Sequence, residues 1–302
     1  MQKAIKNINP DSSDFRSVAR ALTVIENDLE GSGDLLKKLA FSKNTPVIGI
    51  TGPPGAGKST LVNSIIGSLL TRGLKIAVLA IDPTSPFNFG SLLGDRIRMA
   101  PHFNHPDVFI RSLATRGSLG GLSAKTIEMA DVLRAAGFDY VLIETVGVGQ
   151  SEVEIAGLAD ITILVLVPES GDEIQNIKSG LMEIADAFVV NKADRADADL
   201  FANNLKKIIS QNNEDKIPVF KTIASTGGGI DDVTNFILSA PLAKNTRKEI
   251  LMTEKAYKII QQRRMADVDK KKLQQAIAKA LSDPDFNLYR FISDFEFRIL
   301  RI

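Results

Sequence analysis

Between Pro46 and Leu69 an apolar run, Pro46-Val-Ile-Gly-Ile50, enters a glycine-rich loop. The chain leaves that loop through Leu61, Val62, Ile65, Ile66 and Leu69 at helical spacing. Few folds accommodate that order. The stretch Gly49-Ile-Thr-Gly-Pro-Pro-Gly-Ala-Gly-Lys-Ser-Thr60 satisfies G-x-x-x-x-G-K-[ST] through Gly52, Gly57, Lys58 and Ser59. Glycines let backbone N–H groups turn inward on an anion, and the following helix aims the positive end of its dipole at the same place. Gly52, Pro53, Pro54, Gly55, Ala56, Gly57, Lys58, Ser59 and Thr60 are therefore expected to cradle the phosphates of a nucleotide. Lys58 would reach the β and γ phosphates, and the Ser59 hydroxyl would ligate Mg²⁺.

The rest of the chain falls at the distances such a nucleotide needs. Lys75 to Ile81 is a continuous apolar run bounded by Gly73 and Asp82-Pro83, the pattern of a buried parallel strand, so the helix from Ser59 to Thr71 is the crossover of a βαβ unit. These elements predict an α/β fold, a P-loop NTPase with a mainly parallel sheet. Asp82 stands just past its strand, on the edge where open α/β sheets bind ligands. The long loop from Pro83 to Arg98 is read as a segment ordering around the γ-phosphate and metal, with Asp82 and Asp95 the two acidic groups able to face the site. Val108–Arg111 reads as a short strand, followed by a glycine-rich turn from Ala114 and a helix from Ala124 to Ala136.

Tyr140 to Ile143 form a further buried strand from whose end Glu144 emerges, an acid able to hold Mg²⁺ through water. Gly147 would offer its N–H to the γ-phosphate; Val148 after it cannot orient an attacking water, and Gln150 lies three residues beyond the glycine, so intrinsic hydrolysis should be slow. Ile161 to Val167 is another strand, followed by a polar loop with charges at Asp172 and Lys178. Ala187-Phe-Val-Val190 then runs into Asn191-Lys-Ala-Asp194, where the Asp194 carboxylate can accept from guanine N1–H and N2–H₂. Adenine would leave it unpaired, which favours GTP/GDP over ATP. Asn191 would tie this loop to the phosphate loop, and the Lys192 stem would lie along the base. After a last strand, Pro218 to Thr222, Ala224 and Ser225 fall beside the base, Ala224 presenting its N–H to guanine O6, and a helix runs from Asp231 through Leu238.

The flanks are helical. Residues 11–43 carry Phe15, Val18, Leu22, Ile25 and Leu29 at helical spacing, with Ser13 as a candidate cap and a second helix from Asp34 to Ala40. Residues 241–302 hold 14 Lys/Arg against 8 Asp/Glu in three helical runs, Glu249–Ala266, Asp269–Leu281 and Asn287–Ile299. Division into an N-terminal extension (1–44), a GTPase domain (45–242) and a C-terminal arm (243–302) follows. A net charge of +1 gives no global pull toward nucleic acid, and aromatics do not alternate with the basic residues of the arm. With no cysteine, and with His102 and His105 the two histidines, a protein-built zinc or nickel centre lacks ligands. No apolar run reaches the roughly 18 residues of a membrane span, and the first ten residues carry neither a secretory nor a transit pattern, so a cytoplasmic location is expected.

In order and spelling these pieces resemble the MeaB/ArgK GTPases, the family of the methylmalonic aciduria type A protein. The resemblance rests on the phosphate loop, Ala80-Ile-Asp-Pro-Thr-Ser-Pro86, Gly94-Asp-Arg-Ile-Arg-Met99, Ala114-Thr-Arg-Gly117, Glu144-Thr-Val-Gly-Val-Gly-Gln-Ser-Glu152, Gly171-Asp-Glu173 and Asn191-Lys-Ala-Asp194. It implies a homodimeric GTPase that chaperones an adenosylcobalamin-dependent acyl-CoA mutase, usually methylmalonyl-CoA mutase, gating cofactor loading and protecting the mutase. On this resemblance Ser59, Asp82 and Glu144 surround the metal, Asp95 is a candidate in hydrolysis, and Asp172 with Lys178 lies in a third switch loop that senses the partner. The C-terminal arm becomes the dimerisation element. Three stretches depart from the family pattern: Phe87-Asn-Phe-Gly90, Ile223 in place of a serine, and Pro168-Glu-Ser-Gly171 in place of Pro-Gly-Ala-Gly. Two other functions compete with this one. Nickel delivery lacks ligands here, and a phosphotransferase for a transport system lacks an H-R-D-type base motif.

Overall fold

Runs of Val, Ile and Leu too apolar to face water on either side have one common solution, a parallel sheet covered on both faces. In the computed structural model of the chain, residues 8–82, 99–114, 124–145, 147, 155–169, 184–211, 217–240, 248–265, 267–283 and 285–299 are described. The strands are β1 (Val47–Thr51), β2 (Ile76–Asp82), β3 (Val108–Ala114), β4 (Tyr140–Glu144), β5 (Ile161–Leu166), β6 (Ala187–Asn191) and β7 (Val219–Thr222). They lie in the order β3-β2-β4-β1-β5-β6-β7, and every pairing is parallel. The order reverses around β1, so the crevice at its carboxyl end is where such a sheet binds a ligand. Registers Ile50↔Glu144, Ala80↔Glu144 and Asn191↔Thr222 bring the ends of five strands to that one edge.

Helices close both faces. From α3 (Lys58–Leu70), Leu61, Val62, Ile65, Ile66 and Leu69 are fully buried against Ile48, Ile50, Val78 and Leu142, together with Ile230, Val233 and Ile237 of α6 (Ile230–Ser239). Each such side chain contributes roughly 1.5–3 kcal/mol by leaving water. A second cluster joins Leu164, Leu166, Phe188 and Val190 to Phe201, Ala202, Leu205 and Ile209 of α5 (Ala198–Gln211). That helix was not among the expected elements, although Ala198, Phe201, Ala202, Leu205 and Ile209 carry the helical period. Among the described residues the sheet domain also carries α1 (Phe15–Glu26), α2 (Ser32–Lys37) and α4 (Ala124–Ala135).

The N-terminal helix packs into the same body as the sheet. Val18, Ala21, Leu22 and Ile25 of α1 are buried, and the Phe15, Phe109 and Phe138 rings meet at 5.6–6.1 Å between centroids. The cap of α1 is Asp14, whose carboxylate accepts from the Arg16 N–H at 3.0 Å; Ser13 instead donates to Asp11. The helix stops at Glu26, short of Leu29, because Asn27 caps it and Asp28 takes a left-handed φ of 52°. β3 is longer than expected, pairing with β2 from Ile76↔Val108 to Asp82↔Ala114.

At the opposite edge of the sheet three aspartates repeat one device. Asp139, Asp160 and Asp186 precede β4, β5 and β6, and each carboxylate accepts a backbone N–H on a neighbouring strand or just before it, those of Lys75, Val47 and Thr162, all at 2.8 Å. Each aspartate's own N–H returns to the carbonyl of that same residue at 2.8 Å. Amide groups at the start of a parallel strand that would otherwise lack a partner are thereby satisfied.

The chain divides into two compact units, Met1–Lys255 and Ala256–Ile302. The boundary falls within α7 (Lys248–Arg264). The second unit continues through α8 (Lys270–Ala280), capped by the Asp269 carboxylate, and α9 (Leu288–Ile299), near whose start Phe286 and Phe291 meet at 6.1 Å. Among the described residues no helix is long and apolar enough to cross a membrane.

Candidate nucleotide site

The turn from β1 into α3 brings the loop Gly52–Gly57 to the carboxyl edge of the sheet. At Gly52 the backbone has a φ of +140°, and a Cβ there would stand 2.0 Å from the Val165 carbonyl oxygen, so only glycine fits. Lys58, the first residue of α3, is buried with its Nζ donating to the Gly52 and Pro53 carbonyls at 2.8 and 3.0 Å. Buried cations need such partners, and these carbonyls hold the ammonium over the loop. Gly147 lies against the same place: a Cβ on it would meet Gly52 O at 2.2 Å and Lys58 Nζ at 2.5 Å, and its φ is +81°. The chain after β4 therefore approaches the loop backbone to backbone.

Beside Lys58 the buried Ser59 hydroxyl donates to Glu144 Oε1 at 2.6 Å. Glu144 is the last residue of β4 rather than the first beyond it, and Asp82 likewise closes β2, two residues past the Ala80 that pairs with Glu144. A hydroxyl and a carboxylate placed together are hard oxygen donors of the kind Mg²⁺ prefers, and the Ser59–Glu144 pair fits that ion. Thr51 and Thr145, whose hydroxyls are 2.8 Å apart in the interior, fasten the ends of β1 and β4 to each other.

On the other side of β1, Asn191 ends β6 and joins three loops. Its Nδ2 donates to the Ala56 carbonyl at 2.9 Å, while its Oδ1 accepts from the Thr222 hydroxyl at 3.1 Å and the Ala224 N–H at 3.2 Å. The Ala224 N–H, expected to face guanine O6, thus donates to Asn191 in this structure, and the Ala224 carbonyl accepts from Ser64 Oγ of α3 at 2.7 Å. Lys192 has a left-handed φ of 56° and donates its Nζ to the Gly55 carbonyl at 2.7 Å, so its stem crosses the phosphate loop. Asp194 is exposed, and among the described residues no hydrogen bond or ion pair engages its carboxylate. Next to it Arg195 pairs with Glu169 of the segment after β5. Ser225 is exposed in the turn beyond Ala224.

Lys58, Ser59, Glu144, Gly147 and Asn191 are thus gathered on one edge, with Lys192 and Asp194 on its rim. Asp95, Asp172, Lys178, Val148, Gln150 and the stretch Phe87–Gly90 lie outside the described residues, as does the side chain of Asp82. Sequence reasoning missed Ser64, Thr222, the Thr51–Thr145 pair and Glu169–Arg195. Ser64 was detectable as a hydroxyl among apolar helix positions; the others depend on strand order. His102 and His105 do not converge on a metal: His102 Nε2 lies 3.2 Å from the Asn63 carbonyl, and His105 Nδ1 accepts from the Asp107 N–H.

Comparison with known proteins bears on this geometry. A crystal structure of a LAO/AO transport system kinase superposes with a TM-score of 0.64 over 99% of this chain and 97% of that one, at 24% identity, a likeness of fold. A Pyrococcus horikoshii protein is 49% identical over 227 residues, 73% of this chain and 72% of its own length. The GTPase ArgK of Escherichia coli is 43% identical over 183 residues, 59% of this chain and 55% of that protein. The family described as methylmalonyl-CoA mutase-associated GTPase MeaB matches residues 18–281, from α1 through the phosphate loop and the Asn191 tether to the end of α8. The chain therefore belongs to the MeaB family of GTPases.

Proposed function

We propose that the protein binds and hydrolyses GTP as a switch, and that it serves an adenosylcobalamin-dependent acyl-CoA mutase. Methylmalonyl-CoA mutase is the first candidate, with the switch gating cofactor loading and protecting the enzyme. The observation that carries the nucleotide reading is the Asn191 side chain, which binds the phosphate loop at Ala56 and the base-side turn at Thr222 and Ala224 at once. A phosphate cradle and a guanine-reading loop locked together in this way suit a guanine nucleotide. The mutase client is supported by the family description.

In the proposed reaction water attacks the γ-phosphorus in line and the GDP β-phosphate oxygen departs. Lys58 moves its ammonium from the loop carbonyls to the β and γ phosphates, where it offsets developing charge. Ser59, Glu144 and Asp82 would hold Mg²⁺, which when bound neutralises charge on the phosphates. The Gly147 N–H faces the γ-phosphate, and Asp95 takes part in hydrolysis. Asp194 receives guanine N1–H and N2–H₂, and for Ala224 to reach O6 its N–H is shared with Asn191. Asp172 and Lys178 sense the client. The second compact unit serves as a homodimer contact, a reading supported by the exposed apolar side chains Tyr257, Ile260, Leu288, Tyr289 and Ile292.

GTP turnover of the purified protein, with and without an adenosylcobalamin-dependent acyl-CoA mutase, tests this reading alongside gel filtration of the mixture. Slow basal turnover that changes on forming a complex is expected. Turnover indifferent to every such mutase, with no complex, would remove the client and leave the GTPase.

A further inference from the structure

The base-reading loop is a strained turn fastened by three side-chain hydrogen bonds. Lys192 and Asp197 both carry positive φ, 56° and 65°, a conformation that is strained for non-glycine residues and persists where the surroundings impose it. Two of the tethers are the Asn191 side chain and the Lys192 ammonium, both reaching the phosphate loop. The third is Arg195, which hydrogen-bonds Glu169, just past β5, through Nη1. Glu169 belongs to the segment that departs from the family spelling, Pro168-Glu-Ser-Gly171.

Arg195 directly follows Asp194, whose exposed carboxylate has no partner among the described residues. A guanidinium released from Glu169 has that carboxylate within reach of its own flexible side chain. Arg and a carboxylate are planar, complementary partners, so the pairing would occupy the acceptors that guanine needs. Glu169 is ionised at neutral pH: the hydrogen bond from Arg195, its own backbone N–H and nearby Lys192 hold its carboxyl below the usual glutamate range.

We propose that Glu169 is a positioning residue for guanine recognition, drawing Arg195 toward the end of β5 so that the loop keeps its turn and Asp194 stays open to the base. Through it the base loop is also joined to the segment leading to Asp172 and Lys178. The inference rests on the guanine reading above.

Release of fluorescently labelled GDP from the full chain tests it, comparing wild type with Glu169→Gln, Arg195→Gln, the double variant and the charge exchange Glu169→Arg with Arg195→Glu. An exposed ion pair predicts a change of about two- to fivefold. Glu169→Gln should speed release by that factor at low salt, raise KM for GTP similarly and leave kcat unchanged. It should also lower the preference for GDP over IDP, whose base lacks the N2 amine. The exchange should restore wild-type release, and high salt should bring wild type to the variant's rate. Wild-type release and GDP/IDP preference in Glu169→Gln would overturn the proposal, as would effects of the two single variants that simply multiply in the double. Wild-type protein that binds no labelled GDP would overturn the guanine reading itself, and the proposal with it.

Discussion

The two edges of the one parallel sheet are built on opposite principles. At the amino edge, Asp139, Asp160 and Asp186 satisfy the backbone N–H groups of Lys75, Val47 and Thr162, so that edge has its polar groups matched within the chain. At the carboxyl edge the same strands open into loops where glycine replaces side chains, a lysine rests on main-chain carbonyls and a carboxylate stands exposed. The difference teaches how the fold separates stability from binding. Strands clamped at one end carry their termini to the other, where the exposed Asp194 carboxylate and the glycine-lined loop stand. Damage to the carboxyl edge should cost binding and turnover with little loss of stability; damage to the amino edge should do the reverse.

The largest effect is expected at Lys58. Lys58→Ala should lower GTP turnover about 10²–10³-fold, the range for losing one charge-stabilising group, while thermal unfolding stays near wild type. Wild-type turnover in that variant would dissolve the contrast at its strongest point. Asp194→Asn comes next, since on the proposed reading it converts an acceptor of two guanine hydrogen bonds into a group with one donor end. Discrimination between GDP and IDP should fall by about 1.5–3 kcal/mol, read by competition binding, with the fold intact. Asp160→Ala probes the opposite edge. Leaving the Val47 N–H without its acceptor should cost about 1–2 kcal/mol of stability in denaturant unfolding, while GDP affinity holds. A variant that lost GDP binding without losing stability would show that the two edges are not separable.

The smallest effect is a pH dependence at the amino edge. Burial pushes the Asp139 carboxyl up, but the hydrogen bonds from Lys43 and the Lys75 N–H, with both charges, outweigh it and hold the group below its ordinary value. A depressed folded value stabilises the native state above the unfolded value and ceases to do so as pH falls through the folded one. Stability should therefore decline on acidification below about pH 4, by less than about 1 kcal/mol because Lys43 is half exposed. Comparing acid unfolding of wild type and Asp139→Asn isolates it: the variant should show less of this slope.

Much of the carboxyl edge could be read in advance because its chemistry is local in the chain. The phosphate loop from Gly52 to Thr60 and the tetrapeptide Asn191–Asp194 are contiguous, and contiguity is what a motif records. The strands were visible for the same reason, as short apolar runs between breakers, with errors of a residue or so at their ends and a larger one at β3, where pairing with β2 extends the strand past its most apolar part. The helix α5 was overlooked since its period is spread among polar residues. The cap of α1 fell to Asp14 rather than Ser13 because only the local turn decides which oxygen meets the open N–H.

By itself, then, the sequence determined the phosphate-loop motif, the Asn191–Asp194 tetrapeptide, the alternation of strands and helices, and hence the class of fold. Each follows from side chains and glycines a few residues apart. Tertiary structure alone decided these partners: Ser59 with Glu144, Thr51 with Thr145, Asn191 with Thr222 and Ala224, and Glu169 with Arg195, while it gave the expected Asn191 tether its acceptor, the Ala56 carbonyl. Those partners are 26 to 135 positions apart in the chain. What brings them together is the order β4-β1-β5-β6-β7, a product of packing the whole chain that no single stretch encodes.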